Sequence, residues 1–219
     1  MKKKEKTTLA LKEELFARYP QLNCCRKEFE CTFEALLNCY RTGGKLLVCG
    51  NGGSAADAEH IVGELMKSFL FNRKLDDEFS SSMREQFGEE GVDLADKLEG
   101  ALPAIPLTSM PALTSAFAND VDAAVSFAQM TYGYGQKGDV LFGITTSGNS
   151  RNILYAMMAA RAKGITTIAL TGGTGGKCKG LADIMICVPE TETFKIQELH
   201  LPIYHVLCSM LEAELFKEK

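Results

Sequence analysis

Residues 45–54 read Lys-Leu-Leu-Val-Cys-Gly-Asn-Gly-Gly-Ser, a short apolar run that ends in a glycine-rich loop. Gly43 and Gly44 precede the run and predict the end of a helix. A continuous apolar run of this length is typical of a parallel strand that is buried on both faces. Residues 54–71 then predict a helix. Strand, loop and helix in this order are the repeating unit of a parallel sheet.

The same unit recurs toward the C-terminus. Apolar runs predict further strands over residues 139–144, 165–170 and 183–188, and helices are predicted to reach about residue 163 and to cover about 195–216. This alternation predicts an α/β fold, a doubly wound three-layer sandwich in which helices cover both faces of a parallel sheet.

Two segments lie outside this alternation, although residues 1–219 are interpreted as a single domain. Residues 8–41 predict an N-terminal helical hairpin that is divided at Pro20. Residues 72–101 are rich in charge and serine and have weak helical periodicity, so they are interpreted as an inserted surface excursion. A lid over a binding site is the functional alternative for this segment, because long loops in compact domains are often functional.

Composition excludes several classes of protein. With 46% hydrophobic and 24% charged residues, the chain can bury a full core, which excludes intrinsic disorder. The 24 basic and 28 acidic side chains give a net charge of −4, so no broad basic surface for nucleic acid is expected. No apolar run approaches the roughly 18 residues of a membrane span, and Lys12, Glu13 and Glu14 interrupt any signal peptide. We therefore predict a soluble, cytoplasmic protein without nucleic-acid or membrane partners.

The eight cysteines do not form a recognisable site in the sequence. No C-x-x-C pair is present, which argues against a thiolate zinc site or a redox dithiol. The cysteines are predicted to be buried, reduced thiols in a reducing compartment.

Two polar loops carry the predicted chemistry. Residues 50–54 and residues 145–150 each follow a predicted strand and open a helix, and the second loop has four hydroxyls in six residues. In a parallel open sheet, ligands bind at the carboxyl ends of the strands. Helix N-termini, glycine backbone and hydroxyl groups together suit a phosphate. We therefore predict a phosphate site here.

A dinucleotide site is the weaker alternative for the first loop. Gly50, Gly52 and Ala55 match a loose dinucleotide fingerprint, but a Rossmann site also needs an acidic residue at the end of a second strand. Residues 69–79 instead predict a helix end and a polar loop. No nicotinamide or flavin cofactor is therefore expected.

Histidines and carboxylates suggest a second part of the site. His60 and Glu64 share one face of a predicted helix, and His200 and His205 lie in the last helix near Gln197. Such groups serve zinc binding or general acid–base catalysis. Gln197 and His205 are about 12 Å apart along a helix, so either a kink at Pro202 or a subunit contact must bring the groups together. We therefore predict a composite site in a homo-oligomer.

These motifs, in this order, resemble the phosphoheptose isomerases of the sugar isomerase (SIS) domain family. The resemblance covers nearly the whole chain and rests on residues 49–54 with Asp57, His60 and Glu64, on residues 145–150, and on residues 196–200 with His205. It implies an SIS-type sandwich that assembles as a homotetramer, with active sites at subunit contacts. It also implies conversion of sedoheptulose 7-phosphate to D-glycero-D-manno-heptose 7-phosphate through an enediolate, which supplies heptose for lipopolysaccharide or other surface polysaccharide.

The resemblance further implies roles for individual residues. Glu64 and His205 are the implied acid–base pair, and zinc is the implied metal. Its ligands would be His60, Glu64, Gln197 and His205. The implied substrate contacts are Asn51, Gly52, Gly53, Ser54, Glu64, Asn119, Asp120, Thr145, Thr146, Ser147, Ser150 and Gln197.

The chain departs from the family pattern in three places, and two alternatives stay open. Residues 72–101 are longer than usual and replace an Arg-Pro stretch, Thr145 stands where serine is common, and Pro202 interrupts the last helix. The chain could instead be a non-catalytic SIS protein, either a sugar-phosphate binder or a regulator like the relatives that bind the replication initiator DnaA. It could also isomerise a different sugar phosphate. Retention of Glu64 and His205 together favours the isomerase.

Overall fold

The computed structural model describes residues 7–216, and a five-stranded parallel sheet lies at their centre. Its strands are β1 Leu46–Gly50, β2 Ala104–Pro106, β3 Val140–Ile144, β4 Thr166–Gly172 and β5 Ile184–Val188. The α-helices are α1 Thr8–Arg18, α2 Arg26–Arg41, α3 Gly53–Met66, α4 Asp77–Ala95, α5 Pro111–Asp120, α6 Ser126–Tyr134, α7 Arg151–Ala162 and α8 Thr193–Leu215.

The strand order places the ends of β1 and β3 side by side. The sheet runs β2-β1-β3-β4-β5, and every neighbouring pair is parallel. The chain crosses from β1 to β2 on one side and then to β3 on the other, so the order reverses between β1 and β3. A crevice forms at such a reversal, outside the carboxyl ends of the strands.

Both faces of the sheet are covered. Along β1, Leu46 and Val48 join one apolar cluster, whereas Leu47 and Cys49 join a second cluster on the opposite face. Alternate side chains of a strand point to opposite faces, so a strand buried on both sides has to be apolar throughout. The doubly wound α/β prediction is therefore confirmed.

The sequence predicted four of the five strands and missed β2. That strand is three residues long, lies at the edge of the sheet and ends in Pro106. Proline lacks a backbone donor and is tolerated at a sheet edge, so it masks a strand signal without preventing pairing. Helices α5 and α6 were also not predicted, and α3 ends at Met66 rather than at residue 71.

The predicted excursion at 72–101 is largely helical. Asp76 caps α4 by accepting a hydrogen bond from the Phe79 N–H, and the helix is broken at Gly88, where φ is +60°. Gly91 then packs against the Met83 carbonyl, because a Cβ at residue 91 would lie 2.1 Å from that oxygen. Most side chains of α4 face solvent, as expected for a surface excursion.

The N-terminal helices and the last helix form one layer. Helices α1 and α2 both pack against α8. Pro202 lies inside α8, which nevertheless continues as one helix from Thr193 to Leu215. Among the helices of residues 7–216, none is both long and apolar enough to cross a membrane.

The cysteines are free thiols, but not all of them are buried. Cys25, Cys39, Cys49, Cys178 and Cys208 lie in the interior, whereas Cys24 and Cys31 are exposed and Cys187 is half-buried. Burial raises the pKa of Cys39 to about 11 and that of Cys178 to about 11. The prediction of buried thiols is correct for five positions and wrong for Cys24 and Cys31.

His200 lies in the core rather than at a surface site. Its side chain is fully buried, neither ring nitrogen has a hydrogen-bond partner among the described residues, and burial lowers its pKa to about 4. In the unfolded chain the pKa is near 6.5, so below that pH the unfolded state binds a proton that the folded state does not bind.

We expect the free energy of unfolding to fall as the pH drops. The full contribution of His200 is present above about pH 6.5, and about 2 kcal/mol of it is lost by pH 5. Urea unfolding at fixed subunit concentration, compared between wild type and His200→Gln, measures the difference. If the free energy of unfolding depends on pH equally in the two proteins, His200 is not the buried neutral group responsible.

Candidate active site

Two loops flank the crevice between β1 and β3, and a pair of asparagines joins them. The Asn51 Nδ2 donates to Asn152 Oδ1 at 3.0 Å, and the Asn152 Nδ2 donates back to Asn51 Oδ1 at 2.8 Å. This reciprocal amide pair fixes the start of α3 against the start of α7. Both predicted phosphate loops therefore belong to one site.

The first loop needs glycine for two different reasons. Gly52 has φ of +57°, in the left-handed region that favours glycine. A Cβ at Gly53 would lie 2.5 Å from the Gln197 Nε2 of α8. The bare backbone at Gly53 therefore lets the Gln197 amide lie directly over the start of α3, where backbone N–H groups and the helix dipole favour an anion.

The second loop is organised by hydrogen bonds among its own polar groups. Ser150 is the N-cap residue of α7, but its hydroxyl does not cap the helix; it lies 3.0 Å from the Thr145 hydroxyl instead. The Ser147 hydroxyl accepts from the Asn149 N–H at 3.2 Å and keeps its own proton for donation. Gly148, with φ of +66°, packs against Gly175, whose carbonyl oxygen would lie 2.0 Å from a Cβ at residue 148. The loop backbone is therefore closely packed, and the Ser147 hydroxyl keeps a proton that it can donate to a phosphate oxygen.

Helices α3 and α8 bring together an acid–base cluster, defined here as His60, Glu64 and His205. The His60 Nε2 lies 3.2 Å from Glu64 Oε1 and 3.3 Å from His205 Nε2. His60 and Glu64 are one helical turn apart, as their spacing predicted. These three groups meet within a single chain without a break of α8 at Pro202. Gln197 is not part of this cluster, so the subunit contact predicted for the composite site stays a prediction.

The cluster is partly shielded from solvent. Burial, together with the neighbouring His60, lowers the pKa of His205. Glu64 Oε2 is buried and has no hydrogen-bond partner among residues 7–216. A neutral imidazole and a carboxylate with an uncommitted oxygen are suited to proton transfer near neutral pH.

A buried ion pair holds the backbone beneath the cluster. Arg73 and Glu212 are fully buried, and the Arg73 Nε donates to Glu212 Oε1 at 2.7 Å. The same guanidinium donates to the carbonyl oxygens of Leu65 and Glu64 at the end of α3. The position of Glu64 therefore depends on Arg73, although the two side chains do not contact each other.

The donor atoms of the cluster are of the kinds that bind zinc, but they do not yet form a complete metal-binding geometry. Tetrahedral zinc with bonds of about 2.0–2.1 Å places its ligand atoms about 3.3 Å apart, close to the 3.3 Å and 3.2 Å separations around His60 Nε2. Within residues 7–216, however, no group of three or more His, Cys, Asp and Glu side chains already surrounds one point. Gln197, the fourth predicted ligand, has its amide over Gly53 at the start of α3.

Two predicted substrate residues, Asn119 and Asp120, lie at the end of α5. Asn119 donates to the Asp120 carboxylate at 2.7 Å at the end of α5, and in residues 7–216 neither bonds to the two phosphate loops. Sequence reasoning also missed two residues that contact the site, Asn152 and Tyr204. Asn152 lies two residues after the second loop, and Tyr204 precedes His205. Only these positions in the sequence could have indicated the two residues.

Comparisons with known proteins agree with this architecture. The SIS domain family model matches residues 25–102 and 80–172. Phosphoheptose isomerase of Crocosphaera subtropica is 37% identical over 204 residues, covering 90% of this chain and 91% of that protein. Phosphoheptose isomerase of Clostridium acetobutylicum is 37% identical, covering 88% and 85%.

Solved structures give the same result. The phosphoheptose isomerase from Francisella tularensis superposes with a TM-score of 0.73 at 32% identity and covers 89% of this chain and 90% of that one. Phosphoheptose isomerase GmhA from Neisseria gonorrhoeae gives 0.69 at 31% identity, with 93% of each chain covered. The chain belongs to the phosphoheptose isomerase family of SIS domain proteins.

Proposed function

We propose that the protein is an aldose–ketose isomerase that converts sedoheptulose 7-phosphate to D-glycero-D-manno-heptose 7-phosphate. The observation that carries this proposal is the contact of His205 on α8 with the pair of His60 and Glu64, which lie on the helix that begins at the phosphate loop. His60 lies about 10 Å along α3 from its first residue, a distance that a long-chain sugar phosphate can span. The relatives named phosphoheptose isomerase support the same activity.

The proposed reaction moves the carbonyl from C2 to C1 of the sugar. Glu64 takes the proton from C1, which leaves an enediolate, and returns a proton to C2. His205 moves the accompanying proton between the two oxygens. Its lowered pKa keeps the ring neutral near neutral pH, so it can accept a proton and then donate it. The distant phosphate, held in the loops at residues 50–54 and 145–150, orients the reacting carbons.

We expect Ser147→Ala to weaken substrate binding more than turnover. A hydrogen bond to a charged group contributes about 1.5–3 kcal/mol, so KM should rise roughly tenfold or more while kcat changes little. Steady-state kinetics measure both constants, and Ser81→Ala on the exposed face of α4 is the matched control. An unchanged affinity in Ser147→Ala would remove this loop from the phosphate site.

We also propose that zinc binds at the acid–base cluster. His60 and His205 would supply nitrogen ligands, and Glu64 and Gln197 would supply oxygens. A bound zinc would act as a Lewis acid that stabilises negative charge on the sugar oxygens. Metal analysis of the purified protein, together with activity before and after chelation, tests this assignment.

We further propose that the active protein is a homotetramer in which neighbouring subunits complete the site. The His60 side chain is 43% exposed within one chain, so its cluster is open on one side. Leu201 and Phe194 of α8 are also exposed large apolar residues. Light scattering on the active species measures the assembly state, and full activity in a strictly monomeric protein would contradict the proposal.

A panel of sugar phosphates separates the isomerase from its alternatives. The protein is incubated with sedoheptulose 7-phosphate and with shorter ketose phosphates, and the products are identified by chromatography. We expect an aldose product from the heptulose phosphate at the highest kcat/KM. Preferred conversion of another ketose would replace the substrate, and binding without conversion of any of them would favour a non-catalytic SIS protein.

A further inference from the structure

A buried tyrosine on α8 connects the acid–base cluster to a carboxylate that the proposed reaction does not use. The Tyr204 hydroxyl donates to Asp57 Oδ1 at 3.1 Å and lies 3.1 Å from His60 Nδ1. Tyr204 is 1% exposed, so water does not compete freely for its hydroxyl. Asp57, Tyr204 and His60 therefore form a relay that ends at the ring nitrogen opposite the cluster.

The hydrogen count along this relay ties the direction of each bond to the tautomer of His60. An ionised carboxylate only accepts, whereas a tyrosine hydroxyl has a single proton to donate. When that proton points to Asp57, the tyrosine oxygen can only accept from His60, so Nδ1 must carry the hydrogen. The neutral ring then has a bare lone pair on Nε2, the atom that faces Glu64 Oε1 and His205 Nε2. In the competing arrangement, Nε2–H donates to Glu64 Oε1 and the Tyr204 hydroxyl donates to Nδ1, so Asp57 loses its bond from Tyr204.

We propose that Tyr204 is a positioning residue, which with Asp57 holds His60 in the Nδ1–H tautomer and turns its Nε2 lone pair toward Glu64 and His205. This orientation suits His60 either to bind a metal or to accept a hydrogen bond from the His205 Nε2–H. Outer partners of this kind fix the ring orientation and tautomer of histidine ligands. The benefit to catalysis rests on the proposed isomerase function, whereas the tautomer itself does not.

Loss of either member of the relay removes the preference for Nδ1–H. Tyr204→Phe removes the oxygen between Asp57 and His60, so Glu64 Oε1 is the remaining acceptor for the ring hydrogen and favours the Nε2–H form. Asp57→Ala removes the acceptor, so the Tyr204 hydroxyl turns to donate to Nδ1 and forces the hydrogen onto Nε2. Asp57 is half-buried. In Asp57→Ala the Tyr204 hydroxyl still bonds to His60 Nδ1, so the buried hydroxyl keeps a partner and the fold should persist.

The chain offers a matched control for the tyrosine. The Tyr40 hydroxyl is buried and has no hydrogen-bond partner among the residues that the structure describes. Tyr40→Phe therefore removes the same atom from the interior without touching the relay. Its spectra and kinetics should match those of wild type.

Nitrogen-15 spectra of the imidazole rings test the relay directly, on metal-free protein at about pH 8, where an unperturbed imidazole is neutral. The chain has only three histidines, and His200→Gln and His205→Gln variants assign their signals. We expect the Nδ1–H form for His60 in wild type and Tyr40→Phe, and the Nε2–H form in Tyr204→Phe and in Asp57→Ala. A wild-type Nε2–H ring, or identical spectra in wild type and Tyr204→Phe, would overturn the proposal.

Zinc titration and kinetics test the consequence. We expect Tyr204→Phe to bind zinc roughly 10–100-fold more weakly in competition with a chromophoric chelator, and to lower kcat with KM unchanged. Normal zinc affinity and normal kcat together with altered spectra would overturn the positioning role. The spectra need neither substrate nor metal. If the protein does not isomerise the sugar, the tautomer of His60 can therefore still be measured, and the two proposals can fail separately.

Discussion

A Glu64→Gln variant should lose about 10²–10⁴-fold in kcat while folding like the wild-type protein. The substitution keeps the shape of the side chain and one acceptor oxygen, but an amide cannot take a proton from carbon. Glu64 Oε1 lies 3.2 Å from His60 Nε2, a distance that a glutamine side chain can also span. Steady-state kinetics on sedoheptulose 7-phosphate measure the loss, and circular dichroism with urea unfolding measures the fold.

The matched control for this variant is Glu89→Gln on α4, an exposed carboxylate far from the cluster in sequence. It should leave both kcat and stability unchanged. Turnover within a few-fold of wild type in Glu64→Gln would exclude Glu64 as the base. Binding of the substrate should persist in Glu64→Gln, because the phosphate loops are untouched, and isothermal titration would measure it.

Breaking the buried ion pair should have the largest effect on stability. Arg73→Ala and Glu212→Ala are each expected to lower the free energy of unfolding by about 3–5 kcal/mol, because each leaves the other charge buried and unpaired. Glu212 also accepts from the backbone N–H groups of Phe69, Leu70 and Phe71, and these would lose their partner. Urea unfolding at fixed subunit concentration measures the change.

An exposed pair of the same charge type is the control. Lys97 and Asp93 lie one turn apart on the surface, and Asp93→Ala should change stability by less than about 0.5 kcal/mol. If Arg73→Ala does not fold, Arg73→Lys keeps the charge and should lose less stability. If Arg73→Ala or Glu212→Ala changes the free energy of unfolding as little as Asp93→Ala does, the buried pair does not hold the end of α3.

The fold was predictable where the sequence carries regular patterns. β1, β3, β4 and β5 are mainly apolar runs, which is the pattern of strands in a parallel sheet covered on both faces. β2 was not predictable in the same way. It has only three residues, one of them Pro106, and it forms a strand because it pairs with β1. Gly88 likewise bends α4 and weakens the helical periodicity of residues 72–101.

The site was predictable as a set of residue types but not as a geometry. The spacing of His60 and Glu64 placed them on one face of a helix, yet only packing of α3 against α8 brings His205 to 3.3 Å. Arg73 and Tyr204 gave little signal, because burial of a single arginine or tyrosine depends on long-range contacts with Glu212 and Asp57. The roles of Asn119 and Asp120 stay predictions.

Proton NMR of the reaction in deuterium oxide tests the central claim most directly. Purified protein is mixed with sedoheptulose 7-phosphate, and the sugar signals are followed over time. We expect an aldose heptose 7-phosphate to appear with deuterium at C2, since a carboxylate that exchanges with solvent returns the proton there. A heptulose signal that stays unchanged in the presence of correctly folded, zinc-loaded protein would contradict the assignment of this crevice as a sugar-phosphate isomerase site.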